Sequence, residues 1–116
     1  MMRPILLAAA SLLIAGCSGR APQTFGTMVE SRLVPITAVQ QLPIESRVAL
    51  NGIMTEKCPV AGCWFMLRDE SGTIKVDTKN AGFVVVSVPL NSKLTVAGRV
   101  MTNGTERFIE ADGARY

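Results

Sequence analysis

Histidine is absent from all 116 residues of this chain. That removes the side chain best suited to moving protons near neutral pH, and the commonest metal ligand. No Gly-x-Ser-x-Gly elbow, no phosphate-binding glycine loop and no motif-bearing pair of acids is present. Asp69, Glu70 and Asp77 read as turn and strand-surface residues. The composition therefore points away from an enzyme. Aromatics are scarce, with one Trp, one Tyr and four Phe, and the formal net charge is only +3. A nucleic-acid groove needs a basic track and several stacking rings, so no nucleic-acid partner is expected. No apolar run approaches the roughly 20 residues that span a bilayer. There is no internal repeat and no low-complexity tract.

What is present begins at the N-terminus. Met1-Met2-Arg3 is a short positive region, Ile5 to Ala15 is uncharged and apolar, and the small pair Ala15-Gly16 stands directly before Cys17. This is the layout of an export signal. The quartet Ile14-Ala15-Gly16-Cys17 resembles the lipobox of bacterial lipoproteins, which implies that Cys17 is lipidated and becomes the first residue of the mature chain. Several acyl chains, at about 0.8 kcal/mol per buried methylene, make a stable anchor. The expected location is the cell envelope, on a membrane facing the periplasm. Ser18, being uncharged, favours the outer membrane. Cleavage would also remove Arg3 and so lower the net charge from +3 to +2.

The expected organisation is a signal peptide over 1–16, a lipidated N-terminus and flexible tether over 17–30, and one β-barrel domain over 31–116. The tether reading rests on the small, polar run from Ser18 to about Thr27, broken by Pro22 and Gly26. Ile36 to Leu42, between two prolines, fits either one or two helical turns or a short strand. From Arg47 onward the pattern is that of strands. Val48, Leu50 and Met54 share a face with Gly52 in step, a spacing that marks a bend or bulge. Further strands are expected over Cys63–Arg68, Thr73–Lys79, Lys93–Thr102 and about Arg107–Ala111, with an apolar stretch over Phe83–Val88. Asp69-Glu70-Ser71-Gly72 and Asn103-Gly104 supply the hairpin turns. Five short strands, with a glycine in the first and a long link between the third and fourth, predict an all-β, five-stranded Greek-key barrel of the OB type.

The most informative stretch is Cys58-Pro59-Val60-Ala61-Gly62-Cys63-Trp64-Phe65-Met66. With Cys17 taken by lipid, Cys58 and Cys63 are left as a pair in a compartment where disulfides persist. The favoured reading is a disulfide across the first hairpin tip, which on the chain-entropy model stabilises by about 2 kcal/mol. A second reading is a soft-metal site in which the two thiolates, with Met66 or Met54, bind Cu(I) or Zn. Strand alternation opposes it by sending Cys63 and Met66 to opposite faces. A third is a redox-active pair, although the spacer is not the two-residue one of thioredoxin-like motifs and no helix N-terminus is evident to lower a thiol pKa. Trp64 and Met66 share one face. The simpler expectation places them in the core or a capped barrel mouth; the alternative makes them an exposed ligand or partner contact.

From Val48 to about Val100 the chain resembles a bacterial family catalogued only as domain of unknown function 4920, many of whose members are predicted lipoproteins. The shared features are Gly52, Cys58 and Cys63 followed at once by Trp64, the Asp69–Gly72 turn, Lys79 with Gly82-Phe83, and Val96-Ala97-Gly98. The resemblance implies an OB-type barrel and no assigned reaction. Trp64 and Met66 also give a looser likeness to small periplasmic OB-fold copper chaperones, whose histidine is missing here. The expected function is that of a lipid-anchored, extracytoplasmic binding or accessory module, non-enzymatic and without a cofactor, serving an envelope protein. The alternative is a soft-metal carrier using Cys58 and Cys63.

Overall fold

The computed structural model describes residues 22–116. The export signal, Cys17 and the first part of the tether lie outside the described residues. Among the described residues six strands form one sheet: β1 (Thr24–Gly26), β2 (Arg47–Lys57), β3 (Trp64–Arg68), β4 (Thr73–Asp77), β5 (Lys93–Thr102) and β6 (Arg107–Arg115). A short 3₁₀ helix, Ile36–Gln41, precedes β2. Strands β2, β3 and β4 make an antiparallel meander. The chain then crosses over, and β5 pairs antiparallel with β2. β6 folds back along β5 and closes the ring by lying parallel to β4, through Val76↔Ile109 and Asp77↔Glu110. A five-stranded ring closed by one parallel pairing is the OB-type Greek-key barrel that the strand pattern predicts.

β2 belongs to two halves of the barrel. Arg47 to Ile53 pairs with β5, and Ile53 to Lys57 pairs with β3, with a register shift between Met54 and Glu56. Gly52 sits at this change of partner. A Cβ there would stand 2.7 Å from the Arg68 carbonyl oxygen and 2.8 Å from the Leu67 side chain. A residue without a side chain lets the strand coil this tightly.

Two local expectations change. β6 runs past Ala111 to Arg115 because two neighbours, β5 and β1, pair with its far half. Within the segment read as tether, Thr24–Gly26 is strand β1, in register Thr24↔Arg115, Phe25↔Ala114 and Gly26↔Gly113. The end of β6 beyond its contact with β4 presents backbone groups that need partners, and β1 supplies them. Phe25 then stacks on Phe83, with ring centroids 5.9 Å apart. The tether assigned to 17–30 is thus corrected at residues 24–26. The apolar run Phe83–Val88 lies in the link between β4 and β5, with Val85 and Val88 fully buried.

The barrel interior holds Val48, Leu50, Met54, Phe65, Leu67, Ile74, Val76, Val96, Val100 and Ile109. Its two ends are closed differently. Val85 and Val88, from the link between β4 and β5, fill the end beside the β2–β3 loop, Val85 through its bond to Gly62. Ile36 and Val39 fill the end beside the β3–β4 turn. In a 3₁₀ helix residues three apart eclipse one another, so these two side chains share one face.

Asp69 pins that second plug. Its Oδ1 accepts from the Ser71 N–H at 2.7 Å, the Ser71 hydroxyl at 2.6 Å and the Gly72 N–H at 3.1 Å. Its Oδ2 accepts from the Ile36 N–H at 2.9 Å, which ties the helix to the hairpin. Burial pushes the carboxyl up, but the Ser71 hydroxyl and the Ile36, Ser71 and Gly72 N–H groups outweigh it and hold the pKa below the ordinary 3.8. A carboxyl with a depressed folded-state pKa gives stability that is present above the unfolded value and lost as pH falls through the folded one. Asp69→Ala should therefore lower stability by about 2 kcal/mol at pH 7, with a smaller loss at an acid pH where the carboxyl is protonated. Denaturant melts at both pH values check this.

Candidate functional site

Alternation along β3 decides which side chains are available for contact. Phe65 and Leu67 are fully buried. Trp64 and Met66, at the intervening positions, point outward and are half-exposed. The expectation that they join the core is therefore corrected. The register pairs Phe65 with Val76 and Leu67 with Ile74, so the inward set of β3 matches that of β4 and fills the barrel. The same register sets Trp64 beside Asp77 and Met66 beside Lys75. The Lys75 ammonium lies 5.4 Å from the Trp64 ring centroid, within cation–π range.

Met66, Lys75 and Asp77 line a cleft of about 560 Å³, walled by Thr105 and Glu106 of the β5–β6 turn and by Arg107 and Phe108 of β6. Cations and anions alternate across it. A larger cleft of about 870 Å³ lies on the other side, where β2 bends at Gly52, and includes Leu94 and Tyr116. The smaller one includes Met66 and Lys75, whose ammonium also faces the outward Trp64 ring, and is the better candidate. Alternation alone sends Lys75 and Asp77 outward. That they share a face with Trp64 follows only from the pairing register, and the part played by Arg107 and Phe108 follows from barrel closure.

The Cys58–Cys63 loop stands at the Trp64 end of this face. The Cys58 N–H donates to the Trp64 carbonyl at 3.0 Å, and the Gly62 N–H donates to the Cys58 carbonyl at 3.1 Å. The second bond closes a single turn over Pro59–Ala61. Gly62 adopts φ +60°, and a Cβ there would also meet the Val86 nitrogen at 2.8 Å. The β4–β5 link clamps the loop from outside. The Val85 N–H donates to the Gly62 carbonyl at 3.0 Å, and the Thr78 N–H and hydroxyl both donate to the Cys63 carbonyl at 2.9 Å. The Lys57 ammonium donates to the Val86 carbonyl at 3.0 Å and the Val88 carbonyl at 2.5 Å.

Cys58 and Cys63 are free thiols here, each half-exposed, in place of the disulfide favoured by the sequence. The folded turn sets backbone N–H groups and the Cys63 thiol near the Cys58 sulfur. The N–H groups of Ala61 and Val60, helped by the Cys63 thiol and the Gly62 N–H, outweigh desolvation and lower the Cys58 thiol from 9.0 to about 7. Nothing in the residue types announces this, because the donors are main-chain groups that converge only when the loop folds. For the soft-metal reading, no group of three or more His, Cys, Asp or Glu gathers among the described residues. The pair therefore offers two donors where structural zinc takes four.

Comparison with solved structures agrees with the topology. The hypothetical protein ygiW from E. coli superposes with a TM-score of 0.58 at 20% identity, over 73% of this chain and 94% of that one. A chain of the S. pombe Stn1–Ten1 complex gives a TM-score of 0.57 at 15% identity, over 73% and 74%. The telomere capping protein Ten1 from the same organism gives 0.53 at 18%, over 71% and 76%. The fold is an OB barrel. No protein-family model matches the chain, and no curated protein matches it.

The inward–outward assignment has a direct consequence for stability. Phe65→Ala should cost about 3–5 kcal/mol through the cavity it leaves. Trp64→Ala, one residue away and the larger truncation, should cost about 1 kcal/mol or less. Chemical denaturation of both variants checks the order.

Proposed function

We propose that this chain is a lipid-anchored, extracytoplasmic OB-fold binding module, non-enzymatic, that presents its β3–β4 face to a protein of the cell envelope. The observation that carries the reading is the outward placement of Trp64 and Met66 beside Lys75, on the strands whose outer face serves OB barrels for ligand contact. A half-exposed tryptophan amid polar neighbours has the make-up of a binding hot spot. Lys75 and Arg107 are interspersed with Asp77 and Glu106 around the cleft. That mixture favours a protein over a polyanion, which calls for a continuous basic track. A Ten1-type barrel assembled with a second protein, Stn1, is a precedent for such use of the fold.

The lipid anchor rests on Ile14-Ala15-Gly16-Cys17, and Ser18 favours delivery to the outer membrane. Strand β1 bears on this arrangement. It ties residues 24–26 to β6, so the span between an acylated Cys17 and the folded domain is short, at most about 3.3 Å per residue. Binding would take place close to the bilayer.

Two experiments test the proposal. A photo-crosslinking amino acid at position 64, expressed in cells, should capture one discrete envelope protein, and the same probe at Thr95 should not. If position 64 yields no adduct, or the same adducts as Thr95, the binding face is wrong. Cys17→Ser should abolish metabolic palmitate labelling and release the protein from the membrane fraction. Unchanged labelling would sink the anchor.

A further inference from the structure

The β2–β3 loop holds chemistry that a binding face does not require. Cys58 and Cys63 occupy the two ends of a five-residue step closed by the Gly62-to-Cys58 turn bond and the Cys58-to-Trp64 strand bond. Both residues are partly exposed and unbridged, and the N–H groups of Ala61, Val60 and Gly62, with the Cys63 thiol, lower the Cys58 thiol. Around them the surface is apolar. Val60, at the crest of the loop, is 90% exposed, and Val86, whose backbone abuts Gly62, is 59% exposed. Neither valine contributes to the core cluster, so their exposure asks for an explanation of its own.

We propose that Cys58 and Cys63 form a thiol–disulfide exchange site for polypeptide disulfides flanked by apolar residues, with Cys58 as the attacking sulfur and Cys63 as the resolving one. The inference goes beyond the binding module and depends neither on the partner of Trp64 nor on the anchor. In the first step the Cys58 thiolate attacks one sulfur of the partner disulfide. The partner S–S bond breaks, a Cys58–partner bond forms, and the departing partner thiolate takes a proton from solvent. In the second, Cys63 releases its proton to solvent and attacks the Cys58 sulfur. The mixed disulfide breaks, the Cys58–Cys63 bond forms, and the second partner thiolate leaves and is protonated. The partner disulfide has gained two electrons and two protons, and the pair has lost the same. The form described here is the reduced one, and the bridge that the cysteine spacing suggests is its oxidised product. The assignment of roles follows from electrostatics. Donors aimed at one sulfur stabilise its thiolate, as attacker and as leaving group.

The test uses the full chain as purified from its host, reduced and in detergent, with glutathione disulfide and a synthetic peptide disulfide flanked by Leu and Phe as probes. Wild type should oxidise to an internal Cys58–Cys63 bridge, and Cys63→Ser should stop at a mixed disulfide on Cys58. At pH 7 the Cys58 of that variant should react with iodoacetamide about five- to tenfold faster than an ordinary thiol, the gain in thiolate exceeding the loss in nucleophilicity. Its rate should titrate with a midpoint near 7. Val60→Asp should remove the advantage of the peptide disulfide over glutathione disulfide while leaving the latter rate within about twofold. Unchanged melting of each variant shows that the loop substitutions spare the barrel. Failure to form the bridge, a Cys58→Ser variant that traps a mixed disulfide on Cys63 faster than Cys63→Ser does on Cys58, or a co-purified stoichiometric metal that shields both thiols would overturn the exchange site. A Val60→Asp variant with an undiminished peptide preference would overturn the substrate class. None of these outcomes bears on crosslinking from position 64, so failure of one proposal leaves the other standing.

Discussion

The barrel depends on one strand serving two partners. β2 pairs with β5 over its first half and with β3 over its second, and it turns from one to the other only because Gly52 lets its backbone pass close to the Arg68 carbonyl and the Leu67 side chain. Had β2 run straight, β3 and β4 would extend as a flat sheet. β6 would not reach the free edge of β4, and the apolar faces of Val48, Leu50, Phe65, Leu67 and Val76 would lack a common interior. Coiling of the first strand thus precedes every other feature. It creates the interior, fixes which side of β3 is outside, and brings the β2–β3 loop over the end that Val85 and Val88 close.

From that geometry the two functional features take different support. The Trp64–Lys75–Met66 face is a product of sheet register. Once Phe65 and Leu67 are committed to the interior, their neighbours have no choice of side. The thiol pair is a product of loop closure, in which three main-chain donors and a second sulfur surround Cys58. Register is secured by many pairs along two strands. The loop is secured by a few clamps, the Gly62 carbonyl to Val85 and the Cys63 carbonyl to Thr78 foremost.

Cysteine spacing illustrates how far residue identity reaches. Cys58 and Cys63 with Pro59 and Gly62 between them mark a turn able to bring two sulfurs together, and they do lie together. Whether the sulfurs bond, bind metal or exchange depends on the electrostatics at each one, and those are set by backbone N–H directions that no residue name carries. The same division appears at the N-terminus of the domain. Pro22 and Gly26 resemble linker residues locally, yet Thr24–Gly26 is drawn into the sheet by the unpaired end of β6.

By itself the sequence determined the strand positions of β2 to β5 to within a residue or two, the bend at Gly52, the hairpin turns and the OB-type ring, because period-2 burial and turn chemistry are local properties written in adjacent residues. It determined too that Trp64 and Met66 share a face. The tertiary structure decided which face that was, added β1 and the length of β6, turned Phe83–Val88 into a plug, and lowered the Cys58 thiol. Each of these rests on groups distant in the chain that meet only after barrel closure. That meeting is a matter of register and loop geometry rather than of composition.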